Sequence, residues 1–133
     1  MNNVVNEIKK VGVFYFATME KDQPRVRPFS SVTEFEGNAY ICTGRKKEIF
    51  KQLQENPFIE LCGSYDMGSW LRVSAKVELD NRIEAEAALL SDPTGPSQLY
   101  KPGDGNFAAF RLTNVKAYKY NFYSAPIEIK EHD

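Results

Sequence analysis

The sequence predicts a mainly β, α+β fold in which six or so largely antiparallel strands form a barrel-like sheet flanked by short helices. Three observations carry this. Aromatic residues make up 13% of the chain and gather at Phe14-Tyr15-Phe16 and between Phe107 and Tyr123, where they favour pleated, half-buried surfaces. Apolar and polar residues alternate with period two over several short runs bounded by Gly, Pro, Asn and Asp. Neither a strand-helix-strand rhythm nor a Gly-x-Gly-x-x-Gly turn accompanies these runs, which argues against a doubly wound sheet.

Taken in order, residues 3–10 follow an Asn and carry Val4, Val5, Ile8 and Val11 at helical spacing, the pattern of a short amphipathic helix lying on the sheet. Residues 13–18 and 25–35 read as strands joined by the polar connection Glu20-Lys21-Asp22-Gln23. Glu36-Gly37-Asn38 turns the chain into a strand at 39–43, giving an antiparallel meander. A helix over 46–55 places Ile49, Phe50 and Leu53 on one face and stops at Asn56-Pro57, because the residue before proline is driven out of the helical region. Strands at 58–64 and 70–79 follow, then a second such helix over 82–90 broken by Asp92-Pro93. Residues 91–105 form a long Gly- and Pro-bearing loop. A strand over 106–120 and a short edge segment within 122–129 complete the sheet.

At 133 residues the chain is one domain, 1–133, large enough to bury roughly two-thirds of its unfolded surface without staples. Cys42 and Cys62 fall in separate strands with no Cys-x-x-Cys spacing, and the single histidine is His132, so no metal site is expected. Two free thiols fit a reducing compartment, and neither an apolar leader nor a membrane-length apolar run is present; the expected location is the cytoplasm. The net charge of −1 gives no overall attraction to nucleic acid, and no basic sheet carries an RNA-stacking aromatic motif.

Charge is nonetheless uneven, because Arg25, Arg27, Arg45, Lys46, Lys47 and Lys51 fall within one stretch. A strand that ends at Thr43-Gly44, followed by basic residues at the start of a helix, makes a seat for a phosphate. Arg25 and Arg27, two apart on an extended segment, point to one side of it. Cations at a helix start oppose its dipole at a cost of about 0.3–1 kcal/mol unless an anion joins them, so the cluster reads either as an ordinary solvated surface or as the seat of a phosphorylated small molecule.

The ordered set Ala17-Thr18, Gln23-Pro24-Arg25-Val26-Arg27-Pro28-Phe29, Tyr40-Ile41-Cys42-Thr43, Gln52-Leu53, Asn56-Pro57-Phe58-Ile59-Glu60-Leu61 and Trp70-Leu71-Arg72-Val73 resembles the pyridoxamine 5′-phosphate oxidase-like proteins, over nearly the whole chain. The resemblance implies an FMN-binding split β-barrel that forms a homodimer with two FMN molecules at the subunit interface. By the same resemblance Arg25 contacts the cofactor phosphate, Val26-Arg27-Pro28 pass along the isoalloxazine edge, and Thr43 hydrogen-bonds the cofactor. Lys46 or Lys47 pairs with phosphate. Trp70 stands near a position that reaches the flavin from the second subunit, where the oxidases carry Gln; a lone Trp at a strand start also suits a core position.

Two departures shape the functional expectation. Residues 122–133 lack the arginine-bearing segment with which the vitamin B6 oxidases bind substrate phosphate, and one terminal histidine argues against a haem-handling role. Tyr118, Tyr120 and Phe122 alternate on the last strand, a pattern that suits core as well as a pocket wall. The expected function is therefore FMN-dependent redox chemistry on a small molecule other than pyridoxamine phosphate, with no catalytic acid or base marked in the sequence because the flavin performs the chemistry. The alternative is a module that holds FMN for storage or sensing without turnover.

Overall fold

The structure is a computed structural model that describes residues 1–133. Its elements run α1 (Asn3–Val11), β1 (Phe14–Glu20), β2 (Gln23–Phe29), β3 (Thr33–Phe35), β4 (Asn38–Gly44), α2 (Glu48–Glu55), β5 (Phe58–Ser64), β6 (Ser69–Asp80), α3 (Ile83–Ser91), β7 (Phe107–Asn121) and β8 (Ile127–Ile129). All eight strands join one antiparallel sheet in the order β2-β1-β5-β6-β7-β4-β3, with β8 paired to β7. This is the expected split barrel with short helices.

The expected strand over 25–35 is divided. Its first part pairs with β1 and its second with β4, so the two hairpins lie at opposite ends of the strand order rather than in one meander. Only Ser30, Ser31 and Val32 separate β2 from β3. Four Cα steps reach at most about 14 Å, whereas six inter-strand spacings in a flat sheet span about 29 Å. The sheet must therefore curl until its two edges almost meet, and the gap between those edges is the split.

Alternation along each strand sends one face into the barrel. Phe14, Phe16, Ile41, Leu61, Leu71, Val73 and Leu112 are buried there together with Val4, Val5 and Ile8 of α1. The Asn2 side chain accepts from the N–H groups of Val4 and Val5, capping α1 as its sequence position predicts. Ile49, Phe50 and Leu53 carry α2 into the same core, with Phe50 against Phe110 at 5.8 Å. A second cluster forms on the other side of β4 and β7, where Tyr40, Cys42, Phe107 and Ala109 meet Ala85 and Leu89 of α3. No helix is long and apolar enough to cross a membrane.

Candidate functional site

The β1-β2 register determines where the arginines point. Phe14 faces Phe29, Phe16 faces Arg27 and Thr18 faces Arg25, so both arginines lie on the side of β2 that looks into the barrel gap. Pro24, Val26 and Pro28 occupy the other face, opposite Met19, Ala17 and Tyr15. Prolines have no N–H to give the ladder, so positions 24, 26 and 28 must be those whose backbone polar groups point away from β1. The free edge of β2 thus offers several carbonyl oxygens but, between its prolines, a single donor, the N–H of Val26.

Arg27 is engaged inside the chain. Its guanidinium donates to the Phe16 carbonyl (3.0 Å), to Thr18 Oγ1 (2.8 Å) and to Gln52 Oε1 (2.9 Å), and burial lowers its pKa. Thr18 donates its own hydroxyl to the same Gln52 oxygen at 2.5 Å. Three elements, β1, β2 and α2, are tied by these bonds. Arg25 instead lies in the open and pairs with Glu20 at 2.8 Å.

The basic turn departs from expectation in one respect: α2 begins at Glu48, and both lysines precede it. Lys47 donates its N–H to the Gly44 carbonyl (3.1 Å), which closes the turn, and then takes an extended conformation at the N-cap. Its side chain caps nothing, and the N–H groups of Glu48 and Ile49 have no acceptor in the chain. Arg45 is fastened to the body by its N–H to Asn106 O (2.7 Å), by Nη2 to Asn81 Oδ1 (2.8 Å) and by its position over the Phe50 ring. Lys46 and Lys47 are exposed and form no ion pair.

Lys47 differs from Lys46 in its neighbourhood. Burial raises the pKa of the Cys42 thiol, and the Ser31 hydroxyl and the Lys47 charge act against that rise. Lys47 therefore stands near Cys42 and Ser31, at the link between β2 and β3. Thr43 is buried at the end of β4, and Gly44 is packed under Tyr100, whose hydroxyl lies where a Cβ would be. One face of α2, from its first residue to its last, and the β1-β2 hairpin share a polar cleft of about 320 Å³ lined by Glu20, Lys21, Glu48, Lys51, Gln52 and Glu55. Glu20 both lines this cleft and holds Arg25, so Arg25 lies where the β1-β2 hairpin faces α2.

Trp70 does not join them. Thr43 pairs with Ala108 and Trp70 with Tyr120, twelve positions apart along β7, or about 40 Å of strand at about 3.3 Å per residue. Trp70 is half-buried rather than core, stacked on Tyr120 at 5.7 Å and packed against the exposed Phe122. Sequence reasoning did not single out Thr18 or Gln52 as site residues, although both lie inside the motif quoted above.

The family profile described as pyridoxamine 5′-phosphate oxidase matches residues 2–121. Among solved structures, a NimC/NimA family protein from Clostridium acetobutylicum is 36% identical, with 95% of this chain and 91% of that chain covered and a TM-score of 0.87. A pyridoxamine 5′-phosphate oxidase-related, FMN-binding protein from Nostoc punctiforme PCC 73102 is 15% identical, covering 92% and 80%, with a TM-score of 0.66. A haem-binding protein from Mycobacterium smegmatis is 17% identical over 96% of this chain and 58% of that one, with a TM-score of 0.67. No curated protein sequence matches the chain.

Proposed function

Since the chain belongs to the pyridoxamine 5′-phosphate oxidase-like family, we propose that it binds FMN where β2 passes the start of α2 and uses it to transfer electrons to a small organic acceptor. The observation that carries this reading is a set of groups left without partners in the chain: the N–H groups of Glu48 and Ile49, the side chain of Lys47, and the N–H of Val26 on the free edge of β2.

These residues fit the group. A phosphate bears nearly two negative charges and three strong acceptor oxygens, which suits a helix start with a lysine beside it. Arg25 is available because an exposed pair such as Arg25-Glu20 is worth at most about 1 kcal/mol, so exchange onto a phosphate costs little. Thr43, buried at the strand end, supplies a hydroxyl beside the turn. Val26 presents its N–H to a flat heterocycle, and Pro24 and Pro28 hold the strand rigid on either side. When bound, FMN supplies hydride and electron chemistry.

The outward face of β1 and β2 explains why the site is open in one chain. Tyr15, Val26 and Phe58 are 53%, 66% and 64% exposed, and Met19, Pro24 and Pro28 lie among them. Large apolar side chains grouped on one face mark a surface that another molecule covers. A homodimer in the cytoplasm, with each 1–133 domain supplying one half of each cofactor site, covers this face and brings the partner's aromatic end to the flavin. Pyridoxamine phosphate is not the substrate in this reading, because residues 122–133 bring no arginine to a second phosphate.

Anaerobic stopped-flow at the flavin band tests the redox role. The expected outcome is bleaching by NADH or NADPH faster than that of free FMN, followed by reoxidation accelerated by a quinone or nitroaromatic. If no nicotinamide or acceptor outpaces the free flavin, the chain is a flavin carrier.

A further inference from the structure

Phe58 opens β5 and is 64% exposed, although it is the largest apolar side chain on that strand. Its backbone is held on both sides. The Phe58 N–H donates to Asn56 Oδ1 at 3.1 Å, and the Pro57 carbonyl accepts from the Val77 N–H at 2.9 Å. An aromatic ring on a fixed backbone loses little freedom when a partner covers it, which makes it a strong anchor for a contact.

A hollow lies on either side of this ring. Toward β1, about 220 Å³ is lined by Ala17, Met19, Pro24 and Ile59, with Glu60 as its single charge. Toward β7, about 290 Å³ is lined by Ser74, Asn114, Lys76 and Lys116, with no acid. A ridge beside a hollow on one face is self-complementary about a twofold axis that lies in the contact plane between them: each copy's ridge meets the other's hollow. Lys76 decides which hollow. It stands opposite Phe58 in the β5-β6 ladder with its Nζ 5.9 Å from the ring centroid, so a surface that takes in the ring takes in an ammonium too. Seated toward β7, that charge would face Lys76 and Lys116 of a second copy; seated toward β1, it faces Glu60. Arg72 engages only Oε2 of Glu60, at 3.1 Å, and Oε1 is open to a second cation. We infer that Phe58 anchors the contact between two copies of the chain by entering the hollow beside Ala17, Met19 and Pro24 of the second copy, with Lys76 directed at Glu60 there. This rests on the two-chain reading above and assigns the side chains that meet.

Sedimentation equilibrium of the unaltered protein, Phe58→Ala, Lys76→Glu, Glu60→Lys and an equimolar mixture of the last two tests it, with circular dichroism as the check on folding. Phe58→Ala should raise the dimer dissociation constant at least ~tenfold with an unchanged spectrum. Lys76→Glu sets acid against acid and Glu60→Lys base against base, so each alone should associate more weakly. In the mixed dimer both contacts pair opposite charges, and association should return to within about threefold of the unaltered protein, a recovery that a folding defect would not show. Undiminished association of Phe58→Ala, or a mixture no tighter than its parts, overturns the assignment. So does tighter association of Lys76→Glu alone, which belongs to the hollow toward β7. An unaltered protein that stays monomeric overturns the two-chain reading itself.

Discussion

Lys46 and Lys47 are adjacent and chemically identical, yet only Lys47 sits where its charge is felt at Cys42 beside the β2-β3 link. Lys47→Ala should weaken FMN by at least ~tenfold, the worth of one charge-assisted contact, and leave riboflavin unchanged. Lys46→Ala should alter FMN binding by no more than about threefold. Isothermal titration with both flavins checks this, and equal losses in the two variants would contradict it. Asp80 offers a separate test of the frame. Arg82 first, then the Tyr40 hydroxyl at 2.7 Å, holds its carboxyl below the usual carboxylate range, while Tyr40 is pushed up to about 12, by burial first and then by Asp80. A lowered carboxyl stabilises the fold fully above its ordinary pKa and loses that contribution as pH falls through the folded value. Asp80→Asn should cost about 1–3 kcal/mol near neutrality by weakening the acceptor of a buried hydroxyl. Urea midpoints should show the gap to the unaltered protein closing below the ordinary carboxylate range. The raised Tyr40 contributes up to its ordinary pKa and is lost between there and about 12, so Tyr40→Phe should flatten the alkaline limb.

At the scale of elements, β2 carries the clearest separation between folding and binding. Its N–H at position 26 lies outside the β1 ladder, so Val26→Pro extends an alternation the strand already tolerates at 24 and 28. The variant should retain its circular-dichroism spectrum and most of its stability while FMN affinity drops by about tenfold, the loss of roughly one hydrogen bond to the ring. Unfolding of Val26→Pro would mean that the parity assigned to β2 is wrong, and undiminished binding that the donor is unused. Much of this was legible beforehand. The helices, the hairpin turns and the Thr43-to-Lys47 turn followed from caps, periodicity and punctuation, all of them local. The break at Ser30, Ser31 and Val32 was not, because period-two alternation runs through it without a glycine and strand pairing is decided by distant partners. The same holds for Thr18, Arg27 and Gln52: each sits in a different element, and a mid-helix glutamine reads as surface until a neighbouring strand occupies its oxygen. The start of α2 shifted from 46 to 48 because Gly44 accepts from Lys47 and ends the turn there.

For the whole molecule, the proposed FMN site requires a second chain, a requirement supported by the exposed apolar outer face and by the distance between Trp70 and the cation-bearing end. A twofold contact that covers this face should bury more than ~1,500 Å² in total, enough for a dimer at micromolar concentration. Val26→Asp, placed at the centre of the exposed face and away from the buried core, should shift the protein toward monomer and release flavin together. Trp70→Ala should leave the dimer intact and change the visible spectrum of the bound flavin. The central claim is that FMN is held between two chains at the β2-α2 end. Sedimentation velocity recorded both in the protein band and in the visible flavin band tests it most directly. The account predicts that flavin co-sediments with a dimer at one FMN per chain; flavin that stays free at micromolar protein, or that travels with a stable monomer, would contradict it.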